Sequence, residues 1–224
     1  MRYAGIRERY GFWGLLISLS LAFTTGPFLT SSAHPVSIFL VSALLLSVIV
    51  VGNNRLKLAF GASLVVPVVI SVLLKPTASS AGMLVFFYAA NASFFVYVIF
   101  FLFRYLFSTP RVTTNMLLAS LSIYLALAII WGMLYGLLDV FYPGSFKLGP
   151  HEYSVPNIND LLYFSVVTLT TLGYGDISPL SPQAKTIAAT EAFVGQIYLT
   201  VLVARLVGLH IAESSADREA TKRT

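Results

Sequence analysis

Between Asn157 and Pro179 the chain reads NINDLLYFSVVTLTTLGYGDISP. Its apolar part, Ile158 to Leu172, is shorter than the roughly 20 residues a helix needs to cross about 30 Å of hydrocarbon. An apolar stretch of that size is read as a segment that enters a membrane and returns. Gly173 and Gly175 give the returning backbone conformational freedom. Asn157 or Asn159 can cap the short helix, Asp160 sits favourably in its first turn, and its C-terminus near Thr170 carries the negative end of its dipole.

The flanking sequence is built for the same environment. Of the 224 residues, 57% are hydrophobic and 10% are charged, against about 45–50% and about 25% in soluble domains. That balance excludes a disordered chain and points to an all-α membrane protein. Six runs are long enough to span: Phe12–Thr30, Pro35–Val51, Leu56–Leu74, Met83–Phe107, Asn115–Phe141 and Gln183–Ile211. The short re-entrant segment lies between the fifth and sixth. The N-terminal run has basic residues before an apolar core, as a signal peptide has, but is read here as the first membrane helix.

Charge fixes the expected orientation. With the N-terminus inside, Arg2, Arg7, Arg9, Arg55, Lys57, Arg104, Arg111, Arg205, Arg218, Lys222 and Arg223 are cytoplasmic, and only Lys75, Lys147 and Lys185 are outside. This distribution obeys the positive-inside rule with both termini in the cytoplasm. The net charge of +5 is therefore a topology signal, with anionic lipid a secondary contact. Basic residues so dispersed form no nucleic-acid patch. The absence of cysteine excludes disulfides, thiolate metal sites and a cysteine nucleophile, and no phosphate-binding loop, zinc motif or nucleophile triad is present.

Thr170-Thr171-Leu172-Gly173-Tyr174-Gly175-Asp176 resembles the TTVGYGD filter of tetrameric pore-loop potassium channels, with Leu172 in place of the usual valine. The likeness covers about Arg111 to Ile211. It implies that Thr171, Leu172, Gly173, Tyr174 and Gly175 form a selectivity filter in which four chains ring a potassium ion with backbone carbonyls. Leu172 and Tyr174 would turn away from the axis and wedge the filter against the pore helix. Thr170 and Tyr163 would support the filter, Tyr163 by bonding Asp176. Potassium is then the permeating ion and no cofactor is needed. The working unit would be a homotetramer in a cell membrane, and the short loops and missing cysteines suit a prokaryotic plasma membrane.

The last span holds further candidates. Gly195, nineteen residues after Asp176, matches the family's gating hinge, and close packing explains a glycine there equally well. Glu191 lies deep in that span, where an ionisable group is a functional candidate by default. It is expected to brace the filter through Thr168 or Thr170, so that Glu191→Gln alters open probability more than conductance; a cavity-facing position is the alternative. Arg205 is read as a snorkelling interfacial anchor. His210 is a candidate sensor of cytoplasmic pH, since imidazole titrates in the physiological range.

Residues 1–110 read as a four-helix transmembrane domain, 111–212 as the pore domain and 213–224 as a short cytoplasmic tail. A voltage sensor needs arginines at every third position, yet the fourth run carries Arg104 alone, and Glu8 is the only acid before Asp139. Steep voltage dependence is not expected. Asn91, among small residues in that run, could bridge helices. Two alternatives to potassium conduction stay open from the residues: a non-selective cation channel, because of Leu172, and a non-conducting sensor or assembly partner.

Overall fold

The computed structural model describes residues 2–25, 63, 65–70, 81–109, 111–149 and 156–223. Of the six expected spans, the second and most of the third lie outside these residues, as does the end of the first. Within them run helices α1 (Arg2–Thr25), α2 (Ala81–Ser108), α3 (Thr114–Phe141), α4 (Ile158–Leu169) and α5 (Pro182–Arg223), with strands β1 (Phe146–Leu148) and β2 (Ile177–Pro179). Residues 65–70 are helical too.

Among the described residues, three helices are long and apolar enough to cross a membrane: Ala81–Ser108, Thr114–Phe141 and Pro182–Ala212. At 1.5 Å per residue, 28 residues of helix extend about 42 Å. The apolar part of α1, Gly11–Thr24, is shorter than a span within the described residues. The expected tail at 213–224 continues α5 as far as Arg223. Nothing in Ala212–Arg223 breaks a helix: the segment lacks glycine and proline and is rich in alanine and charged helix formers.

Packing centres on α3. Helix α2 buries Phe87, Tyr88, Asn91, Phe94, Phe95, Val98, Ile99, Leu102 and Leu106, a stripe of helical period, and packs on α3. Helix α1 adds Phe12, Leu15, Leu19 and Ala22 to the same core. In a membrane such contacts rely on close packing rather than on escape from water, and two glycines of α3 permit it. A Cβ on Gly136 would fall on the ring of Tyr88, and one on Gly132 would come within 2.8 Å of Leu162 Cδ2 on α4. The expected bridging by Asn91 is not made: its Nδ2 donates to Phe87 O of its own helix at 2.8 Å, and its Oδ1 has no partner among the described residues. Burial between apolar helices leaves this amide only its own backbone to reach.

The short strands were not foreseen, since three residues carry no readable alternation. They pair antiparallel, with Phe146 opposite Pro179, Lys147 opposite Ser178 and Leu148 opposite Ile177. This clip ties the chain after α3 to the chain just after Asp176. A second core of Tyr135, Phe146, Leu161, Phe164, Ala184 and Ala188 lies beneath it.

Candidate ion pathway

Helix α4 starts on a capping box. Asn157, rather than Asn159, is the N-cap: its Oδ1 accepts from the N–H groups of Asn159 (2.8 Å) and Asp160 (3.1 Å), and Asp160 Oδ2 accepts from Asn157 N at 2.9 Å. The helix ends three residues earlier than the apolar run, because the next N–H groups turn back onto its last carbonyls. Thr170 N and Oγ1 both donate to Val166 O, at 3.0 and 2.7 Å. Thr171 N donates to Thr168 O (2.9 Å), Leu172 N to Val167 O (2.9 Å) and Gly173 N to Val167 O (3.3 Å).

These bonds pair the orphan carbonyls of the helix end with the first filter N–H groups. They leave the carbonyls of Thr171 to Gly175 without a donor among the described residues. Positive φ recurs at every second residue: Thr171 at 58°, Gly173 at 60° and Gly175 at 79°. The glycines adopt this freely, whereas Thr171 is held in a left-handed conformation that costs about 1–2 kcal/mol. The sequence signalled the two glycines but gave no sign of Thr171.

Beyond Gly175, Tyr163 Oη donates to Asp176 Oδ2 at 2.8 Å. Asp176 Oδ1 accepts from Ile177 N at 3.0 Å, and its backbone carbonyl accepts from Gly149 N at 2.7 Å. The Asp176 carboxylate pushes the Tyr163 phenol up to about 12, so it remains a donor. In the single chain the side chains of Leu172 and Tyr174 are 55% and 66% exposed.

Glu191 is fully buried behind α4. Its partners are neither Thr168 nor Thr170. Tyr135 of α3 bonds Oε2, and Ser165 of α4 bonds Oε1 while also lying 2.8 Å from Ala128 O. Thr170 is unavailable because its hydroxyl is spent on its own helix. Gly195, one turn further along α5, packs against the pore-helix end, where a Cβ would strike the Leu169 carbonyl. That same carbonyl accepts from Tyr124 Oη at 3.0 Å.

Four residues went unrecognised in the sequence: Ser165, Tyr135, Tyr124 and Gln196. Gln196 Nε2 lies 3.5 Å from Thr171 Oγ1. Arg205, read as an interfacial anchor, is half-buried. It donates to Leu106 O (2.7 Å) and Thr109 O (3.2 Å) at the end of α2, with its guanidinium 4.8 Å from the ring centre of Phe107. His210 is exposed on α5, and the described residues contain no cluster of metal-ligating side chains.

A family model described as "Ion channel" matches residues 119–210. Protein LctB of Bacillus caldotenax is 33% identical over 103 residues, 45% of this chain and 76% of that protein. A voltage-gated potassium channel of Aeropyrum pernix is 39% identical over 72 residues, 30% of this chain and 24% of that channel. Two pore potassium channel c of Oryza sativa subsp. japonica is 37% identical over 67 residues, 29% of this chain and 14% of that channel. The chain thus spans less than two thirds of either named potassium channel. No solved structure matches significantly. The matched region takes in most of the outer helix, the pore helix, the filter loop and the membrane part of the inner helix, and on it the chain belongs to the pore-loop ion channel family, as a membrane protein and not an enzyme.

Proposed function

We propose that this chain is the subunit of a potassium-selective channel that passes ions down their electrochemical gradient. The carrying observation is the run of five carbonyls, Thr171 to Gly175, left unpaired while alternate residues take positive φ. Unpaired carbonyls at membrane depth are tolerated only where something else satisfies them. Dehydrated potassium ions are suited to that role.

One chain supplies a quarter of such a filter, so the unit is a homotetramer around the filter axis. The exposure of Leu172 and Tyr174 supports this, because a neighbouring copy would cover them. So does the inner helix, whose apolar window is only 17% buried in the isolated chain. Both termini lie in the cytoplasm, the spans contact lipid, and residues 1–110 brace the pore without acting as a steep voltage sensor. Gly195 fixes the upper inner helix against Leu169 and serves as the point below which that helix bends.

Purified protein reconstituted into potassium-loaded liposomes tests the reading. Potassium efflux that Gly173→Ala abolishes is expected. No efflux from the unaltered protein, with the protein shown to be inserted, would overturn it.

A further inference from the structure

Glu191, Tyr198 and Arg205 stand seven residues apart on α5, and each reaches a partner on a different part of the scaffold. Glu191 meets Tyr135 and Ser165. Tyr198 Oη donates to Ser120 O of α3 at 2.6 Å, its ring stacked on Tyr124 and edge-on to Phe103. Arg205 takes the end of α2. Gln196, beside Thr171, marks the filter side of α5. Nine residues on, at 3.6 per turn, Arg205 lies about half a turn round, on the opposite face.

The end of α2 is incomplete without this arginine. Leu106 is among its last residues, where carbonyls lack intrahelical donors, and its last turn holds no basic residue of its own. A guanidinium from α5 supplies two N–H bonds, a positive charge at the negative end of the α2 dipole and a planar face for Phe107. Lysine could offer the charge without the planar, multi-donor fit.

We propose that Arg205 is a positioning residue of the gate: it holds the cytoplasmic half of the inner helix outward, against the end of α2. The proposal rests on the channel reading above and extends it to how the pore is kept open. Releasing Arg205 frees that half of α5 to move toward the axis. Movement of the N-terminal helices reaches the inner helix through the same contact.

Two readouts on the full chain test this. In single-channel recordings, Arg205→Ala lowers open probability about tenfold or more, with unitary conductance and reversal potential unchanged, and Arg205→Lys falls between. Phe107→Leu lowers it less and adds nothing to Arg205→Ala. The chain has no cysteine, so a single spin label on Ser215→Cys reports distances between subunits without background. Those distances shorten in Arg205→Ala and recover in part in Arg205→Lys. Unchanged distances in an intact tetramer, or open probability within twofold of wild type, would overturn the proposal. Absence of wild-type current would overturn the conduction reading instead, and the label distances would still judge the contact.

Discussion

Tyr135, on the outer helix, hydrogen-bonds the carboxyl group of Glu191 on the inner helix, directly behind the pore helix. Ser165 stands at the other carboxyl oxygen and also faces Ala128 O. A serine hydroxyl has one proton, and a carbonyl can only accept. Every bond is satisfied when Ser165 donates to Ala128 O, Tyr135 donates to Oε2, and a proton on Oε1 is shared with Ser165.

That count revises what Glu191→Gln should do. A glutamine offers an N–H to Ser165 and a carbonyl to Tyr135, so the network survives and open probability stays within about threefold of wild type. Glu191→Ala leaves the buried Tyr135 hydroxyl unpartnered, at about 1–3 kcal/mol, while Ser165 keeps Ala128 O, and both tetramer stability and open probability fall. Thermal dissociation of the tetramer and single-channel recording compare the two. Equal damage from both substitutions would show that the count is wrong.

Glycine at 195 is required by contact, since a Cβ there meets the Leu169 carbonyl. Gly195→Ala must shift the inner helix off the pore helix, a cost of about 1–3 kcal/mol for overpacking. Gly208, with open space where a Cβ would sit, provides the control, and Gly208→Ala is expected to be neutral or slightly stabilising. Thermal stability in detergent, measured for both, checks the contrast.

On the channel reading, the bond from Tyr163 to Asp176 would secure the outer end of the filter. Tyr163→Phe removes it at a cost of about 1 kcal/mol, and faster loss of current during sustained opening is expected, with selectivity retained. The phenol, raised to about 12, donates below its unfolded value of about 10, and the bond is lost as pH climbs through about 12. External pH between 7 and 9 should therefore leave this contact intact. A pH-dependent decay across that range that Tyr163→Phe removes would contradict the assignment.

Arg104 is the only basic residue of α2 and is exposed near its end. An apparent gating charge of about one per subunit at most is expected from open probability against voltage. A slope requiring several charges per subunit would contradict it.

What could be read from sequence was local. Gly173, Gly175 and a helix cap at Asn157 or Asn159 lie within twenty residues of one another, where helix period and backbone freedom govern the outcome, and the Tyr163–Asp176 pair was implied only by the family resemblance. Apolar spans were legible because hydropathy reports them directly: Asn115–Phe141 was expected and the helix is Thr114–Phe141, whereas the charged extension of α5 to Arg223 carries no such signal. Contacts across the fold were not. Glu191 meets Tyr135 from 56 positions away, and Arg205 meets Leu106 from 99 away. Which pore-helix face meets α3 had to be known before Ser165 could be chosen over Thr168 or Thr170. The left-handed Thr171 was also hidden, because threonine does not favour that conformation and only the surrounding bonds impose it.

The most direct test of potassium selection is the reversal potential of wild-type current in a bilayer with potassium on one side and sodium on the other. A reversal close to the potassium equilibrium potential is predicted. A reversal near zero, showing that sodium passes as readily as potassium, would contradict it.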